Sequence, residues 1–164
     1  MQTFLPYPDF RKSFEVLDDK RLGKQRVEAY QIISAITGRP RKDGKPYKGW
    51  INHPCTILWE NNINALRLYY NDCIDEWVSR GYRNTMEYET IVGEFTLPDW
   101  VGNDLIHSSH RSNLLRKDSE YYSKFGWLES DDLPYVWIDR EGKWYKQMVG
   151  KNIRDYLNTY AVMK

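Results

Sequence analysis

A chain of 164 residues that is 41% hydrophobic and 15% aromatic has enough apolar mass for one domain with a real core, is too short for two ordinary ones, and is not a disordered composition. No apolar run approaches the roughly 20 residues that span a bilayer, and no basic segment leads into an apolar stretch at the N-terminus, so neither a membrane nor a secretory route is expected and the cytoplasm is the expected compartment. The net charge of +1 does not by itself suggest a polyanion partner, but residues 1–50 hold 11 Lys/Arg against 6 Asp/Glu while residues 51–164 hold 13 against 17, an asymmetry that often marks a surface meeting a polyanion.

Pro6 and Pro8 argue against a helix at the start of the chain, and Ser13 is placed to cap a short turn. Asp18 or Asp19 caps a longer helix running to about Thr37, with Leu22, Ala29, Ile33 and Ile36 as its buried stripe and Gly38 at its end. Residues 38–50, GRPRKDGKPYKGW, read as an exposed basic loop. A second helical stretch starts near His53-Pro54, runs to about Arg80 and stops at Gly81, with a break at Asn61-Asn62. Residues 82–102 carry no clear element. A third helix spans about 103–117, and Asp118-Ser119 caps a short one through Tyr122. Residues 136–138 and 143–145 suit a small hairpin, and residues 152–160 suit a terminal helix. The expected fold is mainly α, one compact helical domain over residues 1–164 with at most a small β-hairpin near the C-terminus. Cys55 and Cys73 are expected to be reduced, buried thiols.

Two clusters carry candidate chemistry. Lys20, Arg21, Lys24 and Arg26 occupy the first two turns of the long helix, where the helix dipole is already positive. Cations placed against the dipole point to an anionic ligand such as phosphate, drawn by amides and side chains together. Glu28 follows two turns in, either as an ionised base or stabiliser beside these cations or as the i+4 ion-pair partner of Lys24. The second cluster, IHSSHRSNLLRK over residues 106–117, sets His107, His110, Arg111, Arg116 and Lys117 among hydroxyls, a composition suited to phosphate contacts. Asp104, His107 and His110 at i, i+3 and i+6 make a metal conceivable, but no further ligand has standard spacing, and neither metal nor cofactor is expected. Among the aromatic residues, Tyr47, Trp50 and Tyr82 lie in or beside basic loops and are the better candidates for nucleic-acid contact.

The run LGKQRVE at residues 22–28, then NHP at 52–54, then a tyrosine-rich helix ending in SRGYRN at 79–84, resembles the pyrimidine-dimer DNA glycosylase or phage endonuclease V family over about half the chain. The resemblance implies an all-helical fold and base excision, in which a nucleotide is flipped out, an amine attacks the sugar C1′, and the strand is cleaved through a Schiff base. It maps the family's essential glutamate to Glu28 and a neighbouring arginine to Arg26, although Val27 separates the two where the family has them adjacent. The family nucleophile is the N-terminal α-amine, a group that gives up its proton far nearer neutral pH than a lysine does. Here the bulky Gln2 predicts that Met1 stays in place, so the amine of Met1 is the expected nucleophile and Lys20 or Lys24 the alternative. His53 joins Lys20, Arg21, Lys24, His107, His110, Arg111 and Arg116 as expected substrate or phosphate contacts.

The expectation is therefore a DNA N-glycosylase with possible strand-nicking activity, acting on a damaged or modified pyrimidine in duplex DNA. A non-catalytic protein that holds a nucleotide or modified base in the same pocket is the alternative. The oligomeric state is not legible.

Overall fold

In the computed structural model, which describes residues 1–151 and 153–157, six helices surround one hydrophobic core and a small sheet closes one side. An extended N-terminal segment leads into α1 (Phe10–Glu15), which Asp9 caps by accepting the Lys12 N–H. The long helix α2 (Asp19–Thr37) begins at the Asp18 cap, whose carboxylate accepts the Arg21 N–H, and ends at Gly38 in the left-handed region (φ 64°). Both ends lie where the local sequence signals put them, because capping is decided within one turn.

The break expected at Asn61-Asn62 separates α3 (Pro54–Trp59) from α4 (Ile63–Ser79). Helix α4 packs against α1 and α2, burying Leu66, Tyr69, Tyr70, Cys73 and Ile74. Arg80 fastens its C-terminal end: the guanidinium donates to the carbonyls of Phe14, Glu15 and Leu17 and to the carboxylates of Glu76 and Asp19. Residues 82–102 carry no helix or strand and are held instead by side chains, including Asn64 on the carbonyls of Val92 and Glu94 and Asn71 on Glu89.

Helix α5 (Asp104–Lys117) starts at the Asn103 cap, and Asp118 caps α6 (Ser119–Tyr122). The hairpin is present as β1 (Tyr135–Ile138) and β2 (Trp144–Gln147), antiparallel with Trp137 opposite Tyr145. The terminal helix is not: Arg154–Tyr156 form β3, which pairs with β2 so that Tyr145 faces Tyr156. Asn152 and residues 158–160 of that expected helix lie outside the described residues. Both cysteines are free and buried. No helix among the described residues is long and apolar enough to cross a membrane.

One close approach sets the α2–α4 packing. A Cβ on Gly23 would sit 3.0 Å from the Trp77 ring. That ring has little room to yield, because it stacks on Tyr82 at 4.2 Å between centroids and carries the Arg26 guanidinium at 4.0 Å. Gly23→Ala gains up to about 1 kcal/mol of helix propensity but overpacks the contact by about 1–3 kcal/mol. The expected outcome is a lower urea midpoint at unchanged m-value.

Candidate active site

Residues 2–5 are buried and Met1 is half-buried, yet they pair with no strand. Buried backbone N–H groups must find acceptors, and here side chains supply them. The Gln2 N–H donates to Glu28 Oε2 at 3.1 Å, Thr3 to Cys55 Sγ at 3.3 Å, Phe4 to Gln25 Oε1 at 2.8 Å and Leu5 to His110 Nδ1 at 2.9 Å. The carbonyls are held as well, Phe4 by the Tyr69 hydroxyl at 3.0 Å and Leu5 by His107 Nδ1 at 2.8 Å. Four helices thus hold the N-terminal segment and fix where Met1 lies.

This arrangement turns His107 and His110 inward, 2% and 0% exposed. His107 donates from Nδ1 to Leu5 and accepts the Gly102 N–H at Nε2, which leaves no ring nitrogen open to a phosphate. His110 accepts from Leu5 at Nδ1, so its proton is on Nε2, 3.0 Å from the Gln2 side-chain amide. The contact is satisfied when that amide turns its oxygen to the ring. The expected phosphate role of these two histidines is corrected to a positioning one.

Arg111 is likewise spent on Glu129, Asp104 and the Pro6 carbonyl. Asp104, His107 and His110 are thereby committed to other partners, and no group of three or more potential metal ligands occurs among the described residues. His53 caps α3 by accepting the Cys55 N–H. Burial and the positive charge of the Met1 amine hold its pKa to about 4, so at neutral pH it is an uncharged neighbour of the amine.

A cavity of about 450 Å³ opens where the N-terminus meets α2 and α5. Met1, Gln2 and Glu28 face it, with Gln25, Phe4 and Tyr135 as further walls and Lys20, Lys24, Arg21, Arg116 and Lys117 around it. Larger hollows exist elsewhere, one of them lined by Glu60, Asp99 and Asp139, but among the described residues it is this one that joins the N-terminal residue to the buried Glu28 carboxylate.

Glu28 is 8% exposed, and its carboxylate accepts from the Gln2 N–H and from Gln25 Nε2 at 3.4 Å and forms an ion pair with the Lys24 ammonium at 3.5 Å. The ion-pair reading of Glu28 is the one the contacts show, and the carboxylate also lines the cavity. Peptide geometry limits the Met1 nitrogen to within about 7 Å of that carboxylate, because the bonded Gln2 N–H is the next backbone nitrogen.

The cations divide. Arg21 is largely structural, bonded to Asp18 at 2.7 Å and to the Lys117 carbonyl at 2.9 Å while it lines one wall. Lys24 is 70% exposed and its tip can swing over the opening. Partial burial, with Arg116, Arg21 and Lys24 nearby, lowers the Lys117 pKa below the usual ammonium range. Arg116 lies 5.9 Å from the centre of the Tyr135 ring, whose hydroxyl burial pushes up to about 12. Arg26 is absent from the cavity. Two residues before Glu28 it points about 200° away around α2, over Trp77 and onto Asn84.

Sequence reasoning overlooked Gln2, Gln25 and Tyr135 as parts of the site. Gln25, one turn before Glu28, was the only one with a local signal.

The same histidines make the fold pH-sensitive. Burial holds the His110 pKa to about 3, with His107 adding to the effect, and His53 stands at about 4. Both values lie below the unfolded value near 6.5, so the unfolded chain takes up these protons first. Stability is complete above pH 6.5 and is lost as pH falls toward 4 and 3, by up to about 1.4 kcal/mol per pH unit for fully buried His110 and less for half-buried His53. Asp72, whose carboxyl burial raises, opposes this by one group. Urea unfolding at pH 7.5 and pH 5 is expected to show the loss, and a flat profile would contradict it.

A buried carboxylate, the N-terminal residue and several cationic side chains therefore meet in one cavity. The family model described as pyrimidine dimer DNA glycosylase matches residues 1–90, the part that supplies the amine, Glu28, Lys20 and Lys24. The chain belongs to that family. No curated protein and no solved structure matches it.

Proposed function

We propose that this chain excises a damaged or modified pyrimidine from duplex DNA and then nicks the strand. The lone pair of the Met1 amine forms a bond to the sugar C1′, the glycosidic bond breaks, and the base leaves with its electron pair and a proton. The resulting amino-sugar opens to a Schiff base, from which elimination expels the 3′ phosphate. Glu28 stabilises the positive charge that develops on the sugar and relays protons during ring opening. Lys20, Lys24, Arg116 and Lys117 hold phosphates on either side of the extruded nucleotide, with Arg21 stiffening the wall behind them.

The observation that carries this reading is the juxtaposition of Met1 with buried Glu28 in one cation-surrounded cavity. A hollow of about 450 Å³ is of a size to take one extruded nucleoside, within the range of small-molecule sites.

The test is a duplex oligonucleotide bearing a cyclobutane pyrimidine dimer, with a panel of other pyrimidine lesions beside it. Expected are cleavage of the glycosidic bond (a free base from a monomeric lesion, a base still joined to its neighbour in the dimer), a nicked product, and a borohydride-trapped covalent adduct that peptide mass spectrometry places on Met1. An adduct on Lys24 or Lys117 would keep the reaction and move the nucleophile. Neither product nor adduct on any lesion would overturn the proposal, and thermal stabilisation by mononucleotides but not by DNA would favour a binding protein instead.

A further inference from the structure

The basic loop between α2 and α3 ends in an apolar tip. Trp50 is 48% exposed and Ile51 is 42% exposed, side by side, beyond the exposed cations Arg41, Lys42, Lys45 and Lys48. Trp50 is the one non-glycine residue among those described with a left-handed backbone, at φ 64°. A bulky residue adopts that conformation at a cost and keeps it only where the surroundings enforce it. The enforcement is visible. The Trp50 carbonyl accepts the His53 N–H at 2.9 Å, and Arg140, itself paired with Glu60, grips the Ile51 carbonyl and the Asn52 side chain at 3.0 and 3.1 Å. Gly49 allows the turn, because a Cβ there would meet the Tyr47 ring at 3.3 Å.

The indole is therefore held out toward solvent on a clamped stem. It also connects to the cavity. Its ring meets His53 edge-on at 5.5 Å, His53 meets Trp137 at 6.2 Å, and Trp137 lies 5.5 Å from Tyr135, which walls the cavity. A row of rings thus runs from the loop tip to the place where a nucleotide would sit.

We infer that Trp50 is the wedge that enters the DNA stack beside the extruded nucleotide, while the loop cations hold the phosphates next to it. A base pulled from a duplex leaves its neighbours without a stacking partner, and an aromatic or aliphatic side chain inserted there replaces it. Basic surroundings match the phosphates of duplex DNA, and an exposed Trp–Ile pair matches base faces. The inference rests on the glycosylase reading for what the wedge serves, and its test is arranged to fail separately.

In the first arm, excision of one lesion is compared in duplex and in single-stranded oligonucleotides. Trp50→Ala is expected to lower the duplex rate roughly tenfold or more, the scale of one lost base–aromatic stack. The same variant lowers the single-strand rate by clearly less than the duplex rate, because a single strand has no duplex stack to refill, and Trp50→Phe restores most of the duplex rate. Equal rates on the duplex, or equal losses on both substrates, would overturn the inference. The second arm needs no catalysis. A duplex with a non-cleavable abasic analogue flanked by 2-aminopurine is expected to lose fluorescence when the full chain binds, and Trp50→Ala is expected to abolish that quenching. Quenching that persists unchanged in Trp50→Ala overturns the wedge even in a chain without excision activity. Trp50-dependent quenching by a chain that excises nothing keeps the wedge and sinks the glycosylase reading alone.

Discussion

Glu28→Gln is expected to lower excision from lesion-bearing duplex DNA by about 10²–10⁴-fold, the range of a lost acid–base group, while leaving the fold intact. The substitution is isosteric. A glutamine oxygen still accepts the Gln2 N–H that Glu28 holds at 3.1 Å, so the N-terminal segment stays threaded. What disappears is the negative charge facing the amine and the developing cation on the sugar. The ion pair with Lys24 disappears too, but Lys24 is 70% exposed and such a pair contributes about 1 kcal/mol or less. Single-turnover kinetics and thermal melts together read the outcome. An unchanged rate in a chain with an unchanged melting point would remove Glu28 from the chemistry.

His110→Ala is expected to have the largest effect on stability, about 3–5 kcal/mol. The ring is fully buried, so its removal leaves a cavity whose cost is of the order seen for large-to-small core changes. It also strands the Leu5 N–H, now 2.9 Å from Nδ1, and the Gln2 amide behind it. An orphaned buried donor adds about 1–3 kcal/mol. The edge contact with Phe4, centroids 6.0 Å apart, goes as well. Urea unfolding at pH 7.5 measures the loss. Because the same bonds hold the N-terminal segment against Glu28, excision should fall even at temperatures where the variant remains folded. Borohydride trapping should fall with it. A variant that keeps full activity below its melting point would separate the histidine from the placement of Met1.

These expectations depend on a feature that the sequence reading placed on the wrong side of a helix. His107, His110 and Arg111 sit on α5 among serines and basic residues, a composition that reads as a solvated, phosphate-facing surface. They face inward because the extended N-terminal segment needs acceptors and donors that no strand provides, and that need arises more than 100 residues away in the chain. Arg26 shows the same limit on a smaller scale. The family resemblance set it beside Glu28, but two residues along a helix point to opposite sides, and Trp77 on α4 takes the guanidinium. Tyr135 reaches the cavity from β1 without any local signal.

The last strand was missed for a related reason. All three residues of β3 are exposed, so no alternation of apolar and polar residues marks them. Only pairing with β2 makes Arg154–Tyr156 a strand. The basic loop, by contrast, was legible as a loop, with Trp50 one of three aromatic residues in or beside basic loops that suited nucleic-acid contact. Its left-handed backbone and the Arg140 clamp that enforces it were not.

Short-range chemistry was enough for the helical class, for the ends of α2 at Asp18 and Gly38, for the break at Asn61-Asn62, and for the cation cluster with Glu28 one and two turns away. Caps, breakers and i+4 pairs act within a few residues, so one stretch of sequence contains both partners. Which polar side chains look inward could not be read that way. Buried backbone groups must be satisfied wherever the chain brings them, and in this protein the groups that needed partners were those of the first five residues, whose partners come from α2, α3, α4 and α5.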